Sequence, residues 1–457
     1  MNTLRIGFGR RDITPRVGVE LAGFGPFLCR HSDGVRDRLW ARAVAFDLGG
    51  ERAVLVSCDL LSLNPDVTAR TRALVGEQTG LPPERVMTHA THTHSGPALR
   101  DFASGWGQGD PPYIEILPTR IAQACCSALE NLREATLSHA EVPCEGIAIN
   151  RVGDAFQAKT WEEVLDENWR PAKPELTDPT AHVFRVDADG RMLGFWSYYS
   201  CHPVIGAGAK NRKIHGDWPG LATSLVERLH PDATGFFLQG AHADINACRV
   251  SPDEVEAMRV LDVISARYAR VILAGLAQAQ PLAPDRLAAV RLRRRFAYQP
   301  FDRARMEALL AEQERTLHAP DADDSDHKTR MAMVYARALR LILQQQARGE
   351  DLSGVEGELQ GLRVGPVSFL GACFEIFNSI KREVSATARA RIPLVMSQTN
   401  FNLGYATDRA AAAKGGYEAD MVPFIGRRLP FANVGDELTD GLKALDAALY
   451  ADEPEGA

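Results

Sequence analysis

Residues 40–61, WARAVAFDLGGERAVLVSCDLL, decide the fold class of this chain. Two strand-like runs flank Gly49-Gly50, the pattern of an antiparallel hairpin whose glycines supply the tight turn. A different period follows. A helix is expected over 66–79, and the turn and strand LPPERVM (81–87) then lead into ATHTHSGP at 90–97. Upstream, LRIGFGRRDITP (4–15) reads as a strand entering an Asp-x-x-Pro turn, with Asp12 as the turn-former.

The same alternation continues downstream. A long helix is expected over 112–133, kinked or divided at Pro118. HVFRVDADGRMLGFWSYYSCHP (182–203) is a second hairpin with Asp189-Gly190 at its turn, and its return strand delivers His202. Residues 215–230 read as a helix after a His-Gly-Asp-Trp-Pro-Gly turn, 234–245 as a buried strand with a polar end, and 253–279 as a helix. The stretch 302–349 gives two helices joined by the solvated acidic link DADDSD. A hairpin around Gly365-Pro366, a helix, a strand at 391–397 and a helix near 436–449 complete the chain. No internal repeat interrupts this order. Interleaved helices and hairpins make the class α/β, with mixed β-sheets flanked by helices in α-β-β-α layers.

Composition narrows the function. At 457 residues the chain can bury a large core, and a 45% hydrophobic, 24% charged make-up is that of an ordinary globular protein. A net charge of −7, from 52 basic and 59 acidic residues, argues against nucleic acid and anionic membranes as partners. No apolar run approaches the roughly 20 residues that span a bilayer, so no stable membrane insertion is expected. The first residues, MNTLRIGFGRRDITP, lack the apolar core of a signal peptide. Eight scattered cysteines form no CxxC pair, which fits reduced, buried thiols and a cytoplasmic setting. The expected partner is a small-molecule substrate, and a homo-oligomer is compatible with the composition.

Three of the twelve histidines, His89, His92 and His94, fall within six residues. On an extended backbone His92 and His94 would share one face, about 6.6 Å apart, with His89 on the other. One imidazole of such a pair can bind a metal while the other reaches a substrate. His89 then keeps a structural role. A hydrolytic zinc site needs about three nitrogen or oxygen ligands and a place for water. By residue type the donors are His92, His94, His202, His215, Asp217, His242, Asp244 and Glu375. His202 and its Cys-His-Pro turn read equally as packing, and Asp217 equally as a helix N-cap. Glu375 sits in apolar LGACFEIF, so its carboxylate needs a metal, an arginine or a helix amide as partner.

These segments carry a resemblance. GFGRRDITP with GFG at 23–25, ATHTHSGP, INR (149–151), SCHP (200–203), GDWPG (216–220), FLQGAHADIN (237–246), FEIF (374–377) and NFNLGYAT (400–407) stand in the order of the neutral/alkaline ceramidase family. The chain resembles that family's catalytic N-terminal domain over nearly its whole length, as one large catalytic domain spanning 1–457 with a helical insertion at about 302–350. No counterpart of that family's C-terminal immunoglobulin-like domain is expected within these residues. The resemblance implies a zinc ion held by His92, His202, Glu375 and Tyr405, with His94 and Arg151 facing the substrate. A departure is equally specific: where the family carries a serine important for activity, this chain has Asn246. Asparagine is no nucleophile, but it can donate a hydrogen bond to an oxyanion.

The expectation is therefore a zinc-dependent hydrolase that cleaves the amide bond of a small polar substrate by attack of zinc-bound hydroxide. His94 would shuttle the proton to the leaving group, and Arg151 with Tyr405 would steady the oxyanion or a substrate carboxylate. The alternatives are a true N-acylsphingosine amidohydrolase, an ester or lactone hydrolase, and a non-catalytic binder on the same fold.

Overall fold

A computed structural model describes residues 3–99, 105–154, 158 and 160–451. Strand β1 (Leu4–Asp12) pairs antiparallel with β2 (Trp40–Leu48), which turns through Gly49 and Gly50 into β3 (Glu51–Cys58). Both turn residues have positive φ, 65° and 90°, the region that glycine enters without strain. Helix α1 (Pro65–Thr79) starts where the Asn64 side chain accepts from the Val67 amide, and it stops at Gly80 with φ 74°. It leads to β4 (Val86–Ala90), parallel to β3, so this sheet is mixed, in the order β4-β3-β2-β1 with Arg133–Glu134 at its edge.

Helix α2 (Pro111–Glu130) runs on through Pro118, so of the two expected outcomes, a kink or a division, the division does not occur. The proline loses one backbone bond. Its turn is nevertheless held by a buried stripe that includes Tyr113, Leu117, Ile121 and Cys125 against the first sheet.

A second mixed sheet comprises β5 (Thr136–Pro143), β6 (Thr180–Ala188), β7 (Arg191–Tyr199) and β8 (Thr234–Gln239), in the order β8-β7-β6-β5 with Gln280–Pro281 at its edge. Helices α3 (Asp217–Leu229) and α4 (Glu254–Gln278) cover its outer face. The strand expected at 234–245 is two pieces. β8 ends at Gln239, a turn carries His242, and Ile245–Ala247 pairs separately with Ala148–Asn150.

The third sheet runs β9 (Leu287–Ala297), β10 (Gly354–Val364), β11 (Val367–Ala372) and β12 (Ile392–Met396). Between β9 and β10 stand α5 (Arg303–Leu317) and α6 (His327–Ala347), the two helices read from the sequence. Helices α7 (Asn378–Thr387) and α8 (Val434–Leu449) pack on this part of the fold.

Inner faces of all three sheets share one core. Phe46 and Leu55 meet Phe184, Trp196 and Phe236 of the second sheet and Phe369 of the third. Trp196 is stacked between Phe184 and Phe236, with ring centroids 4.8 and 5.6 Å away. Apolar cores on the outer faces are closed by helices, which gives the α-β-β-α layering. All eight cysteines are unpaired; seven are buried, and Cys29, against the expectation of burial, is exposed. Among the described residues no helix is long and apolar enough to cross a membrane.

Candidate metal centre

Polar residues gather where β4, β7 and β8 end, and there the sequence supplies histidines. The run at 91–94 is not extended: β4 stops at Ala90 and His92 adopts φ 69°. The pleat argument for His92 and His94 therefore fails. A left-handed turn brings the two rings together instead, with centroids 4.8 Å apart. Backbone bonds fix that turn, from His92 N to Leu60 O and from His94 N to Pro203 O.

His202 follows β7, and its amide is tied to Ile245 O. His242 lies in the turn after β8. Glu375 opens the two-residue strand Glu375–Ile376, paired in parallel with Tyr405–Ala406 so that Glu375 faces Tyr405. These pieces converge. Glu375 Oε2 lies 3.3 Å from His92 Nε2, 3.5 Å from His202 Nε2 and 3.7 Å from His242 Nε2.

All four residues are buried, and His92 Nε2, His242 Nε2 and Glu375 Oε2 have no hydrogen-bond partner. Orphaned polar atoms so deep in a protein are costly unless a ligand takes them up. Two ligands each about 2.0–2.1 Å from one tetrahedral ion stand about 3.3–3.4 Å apart, close to the separations found here. The second shell points the same way. Nδ1 of His92 meets Leu61 O at 2.7 Å, that of His202 meets His242 O at 2.8 Å, and that of His242 meets Gly240 O at 3.1 Å. With Nδ1–H donating outward, each Nε2 presents a lone pair inward. The donor set fits a divalent metal.

Electrostatics agree. Burial keeps His242 neutral far below the usual histidine range and takes His202 down to about 4, and a neutral imidazole is the form that ligates. Burial opposes the charge of Glu375, but the facing imidazoles outweigh it and hold its carboxyl well below the ordinary value. The other oxygen, Oε1, accepts from Asn402 Nδ2 at 3.1 Å. Where a metal, an arginine or a helix amide was expected beside Glu375, the structure places three imidazoles and the side-chain amide of Asn402.

His94 stands beside this set. Its Nδ1 meets Gly23 O at 2.7 Å, and its Nε2 is buried without a partner. Arg151 and Asn246 come together because Ala148–Asn150 and Ile245–Ala247 are paired strands. Arg151 donates to Tyr405 Oη at 3.0 Å and to Asn246 Oδ1 at 3.5 Å, and it forms an ion pair with Glu418 at 3.2 Å. Burial pushes the Tyr405 phenol well above its ordinary value, so it keeps its proton.

The remaining candidates are spent elsewhere. His89 Nδ1 lies 3.1 Å from Ser57 Oγ, and its Nε2 accepts from the Gln239 amide at 3.0 Å. Asp217 does not cap α3. It takes the first helical position with φ 54° and accepts from the amides of Trp218, Gly206 and Ile205. His215 is bonded by Asn211 and the Asp217 amide, and Asp244 by Asn150 and the Asn378 amide. The residue missing from the ligand set read from the sequence is His242. Its one signal was membership of the donor pool, in a polar stretch after a buried strand.

A cavity of about 120 Å³ opens onto the cluster. Its outer wall includes Tyr417, Val422, Ile425 and Arg428, and Phe424 and Leu429 of that segment are wedged against Met306 and Leu339 of the helical pair α5–α6. The helical pair thus braces that wall of the cavity.

A mixed α/β scaffold that presents such a donor set beside a free imidazole defines a hydrolase able to hold a metal. The comparisons make the class specific. A family model described as neutral/alkaline non-lysosomal ceramidase, N-terminal, matches residues 4–258, over half of the chain, and the chain belongs to that family. It is 28% identical over 258 residues to a neutral ceramidase of Pseudomonas aeruginosa, covering 54% of this chain and 37% of that protein. Identity to neutral ceramidase B of Dictyostelium discoideum is 27% over 239 residues, 50% of this chain and 32% of that protein. The chain thus matches about a third of the length of these curated relatives. Its fold superposes on the crystal structure of the Pseudomonas aeruginosa neutral ceramidase with a TM-score of 0.71 at 19% identity, covering 98% of this chain and 75% of that one. A ceramidase complexed with C2 gives the same TM-score and identity over 100% and 77%.

Proposed function

We propose that this chain is a zinc-dependent amidohydrolase that cleaves N-acyl amides, N-acylsphingosine among them. The observation that carries the reading is the convergence of His92, His202, His242 and Glu375 on one point beside His94, whose Nε2 has no partner. Family membership and the names of the relatives support an acylated amine as substrate, more directly than the generic small polar amide expected from the sequence.

A divalent ion on these four donors would supply Lewis acidity to the amide carbonyl and acidify a water at the site. The chain's own residues do the rest. His94 is held neutral by burial and anchored through Nδ1, so its Nε2 takes a proton and returns it to the departing nitrogen. Tyr405 keeps its phenolic proton while its oxygen accepts from Arg151, and it offers that proton to the developing oxyanion. Asn246 helps aim Arg151. No serine is needed in this scheme.

A second reading, a short amide, is favoured by the small volume of the cavity, about 120 Å³. Turnover of N-acylsphingosine in detergent, set against short N-acyl amines, decides between them: the lipid reading requires measurable release of sphingosine. Absence of hydrolysis of every amide by the zinc-loaded protein would sink both.

A further inference from the structure

Arg428 gives the cavity a charge that the reaction as derived leaves unused. Apart from Glu375, it is the only formally charged group among the described residues lining that space, whose nearby wall is apolar Val422 and Ile425. Its Nη1 donates to Leu403 O at 3.1 Å, which fixes the side chain's direction. The ionisable groups close to it are Tyr298 and Cys373, both pushed up to about 12 by burial and therefore uncharged. No described carboxylate pairs with it. Burial lowers the guanidinium's own pKa, yet an arginine remains charged at neutral pH.

Arg151, at the other side of the cluster, shows the contrast: Glu418 neutralises it at 3.2 Å. Of two arginines beside one site, only one has a counter-ion among the described residues. The half-buried guanidinium keeps four N–H donors unassigned, and a planar fork of this kind matches a carboxylate in two parallel bonds.

We propose that Arg428 binds an anionic group, a carboxylate, on the N-acyl amide whose scissile bond lies at the histidine–glutamate cluster. The proposal rests on the amide-hydrolase reading and adds to it a charge that ceramide does not carry. The carboxylate can belong to the amine half or to the acyl half, and the substrates below separate these.

The experiment uses the zinc-loaded full chain and three amides: N-hexanoylglycine, the mono-propylamide of adipic acid, and neutral N-hexanoylpropylamine. One of the two anionic amides should exceed the neutral one by about tenfold or more in kcat/KM, chiefly through KM, the worth of a hydrogen bond to a charged group. Arg428→Gln should bring that ratio close to one. Arg428→Lys keeps the charge without the fork and should give an intermediate ratio, which covers the case in which loss of the Leu403 bond disturbs folding. Equal rates for anionic and neutral amides, or a preference that survives Arg428→Gln, would overturn the proposal. If no amide is hydrolysed, the amidohydrolase reading fails, and the subsite is then decided by calorimetry. N-hexanoylglycine and the adipic monoamide are titrated into His92→Ala protein, which lacks the metal that a carboxylate could otherwise ligate. Binding at least about tenfold weaker after adding Arg428→Gln supports the subsite; unchanged binding overturns it.

Discussion

His92, His202 and His242 meet around Glu375, whereas His139 and His182 meet each other beside Glu141. The residue types are the same, and the wiring differs. In the first cluster each Nδ1 is bonded to a backbone carbonyl, so the Nε2 atoms converge, those of His92 and His242 with no hydrogen-bond partner. In the second, His139 Nε2 and His182 Nδ1 lie 3.1 Å apart, with the rings stacked at 19°. That pair shares a proton and satisfies itself. Its carboxylate is 59% exposed and 3.9 Å away, and cations stand near it: Arg391 by His139 and Lys381 by His182. A site able to hold a metal is thus marked less by clustered imidazoles than by backbone carbonyls that take each Nδ1–H and leave the Nε2 lone pairs facing inward.

The comparison can be broken at several points. His92→Ala removes a donor whose orphaned atom has no other partner. Metal analysis should show the ion lost, and kcat should fall by roughly a thousandfold or more, since several kcal/mol of charge stabilisation go with it. Tyr405→Phe tests the division of labour within the first cluster. It should lower kcat by roughly 10²–10³, the cost of one oxyanion donor, while metal content stays unchanged. A parallel loss of metal would make Tyr405 a ligand, as the family resemblance implies.

His242→Ala should weaken metal affinity by more than the roughly 10–100-fold typical of an outer-shell partner, read by competition with a chelator. Unaltered affinity would reduce His242 to packing.

The smallest effect belongs to the second cluster. Burial takes His139 down to about 4 and His182 down to about 3, against about 6.5 in the unfolded chain. Between those values the unfolded state binds more protons. The stability linked to the pair is therefore complete above about pH 6.5 and is lost as pH falls toward 4. Urea melts of a His139→Gln/His182→Gln variant should show a flatter decline over that window and a stability change of on the order of 1 kcal/mol. Metal content should not change; if it falls, the two clusters are not as different as drawn.

Much of this was legible in the sequence. The Gly49-Gly50 and Asp189-Gly190 hairpins and the two helices within 302–349 could be read because each depends on local pattern, whereas local pattern left His92, His202 and Glu375 in a pool of eight donors from which only the family resemblance picks them out. What failed depends on distance or strain. The pairing of His92 with His94 was expected from a strand's pleat, but a residue with φ 69° produces it. His242 joins His92 across 150 positions of sequence, and no local period reports that. Division of α2 at Pro118 does not occur, because packing of the helix against a sheet holds that turn. The counter-ion of Arg151, Glu418, lies 267 residues away, so its neutrality and the contrast with Arg428 were invisible.

The most direct test joins metal content to turnover in a single preparation. Wild-type protein is stripped with a chelator, dialysed, and measured for bound zinc and for hydrolysis of an N-acyl amide before and after zinc is restored. The account predicts no turnover without metal, and recovery that saturates at one zinc per chain. Full hydrolysis by the metal-free chain would contradict it.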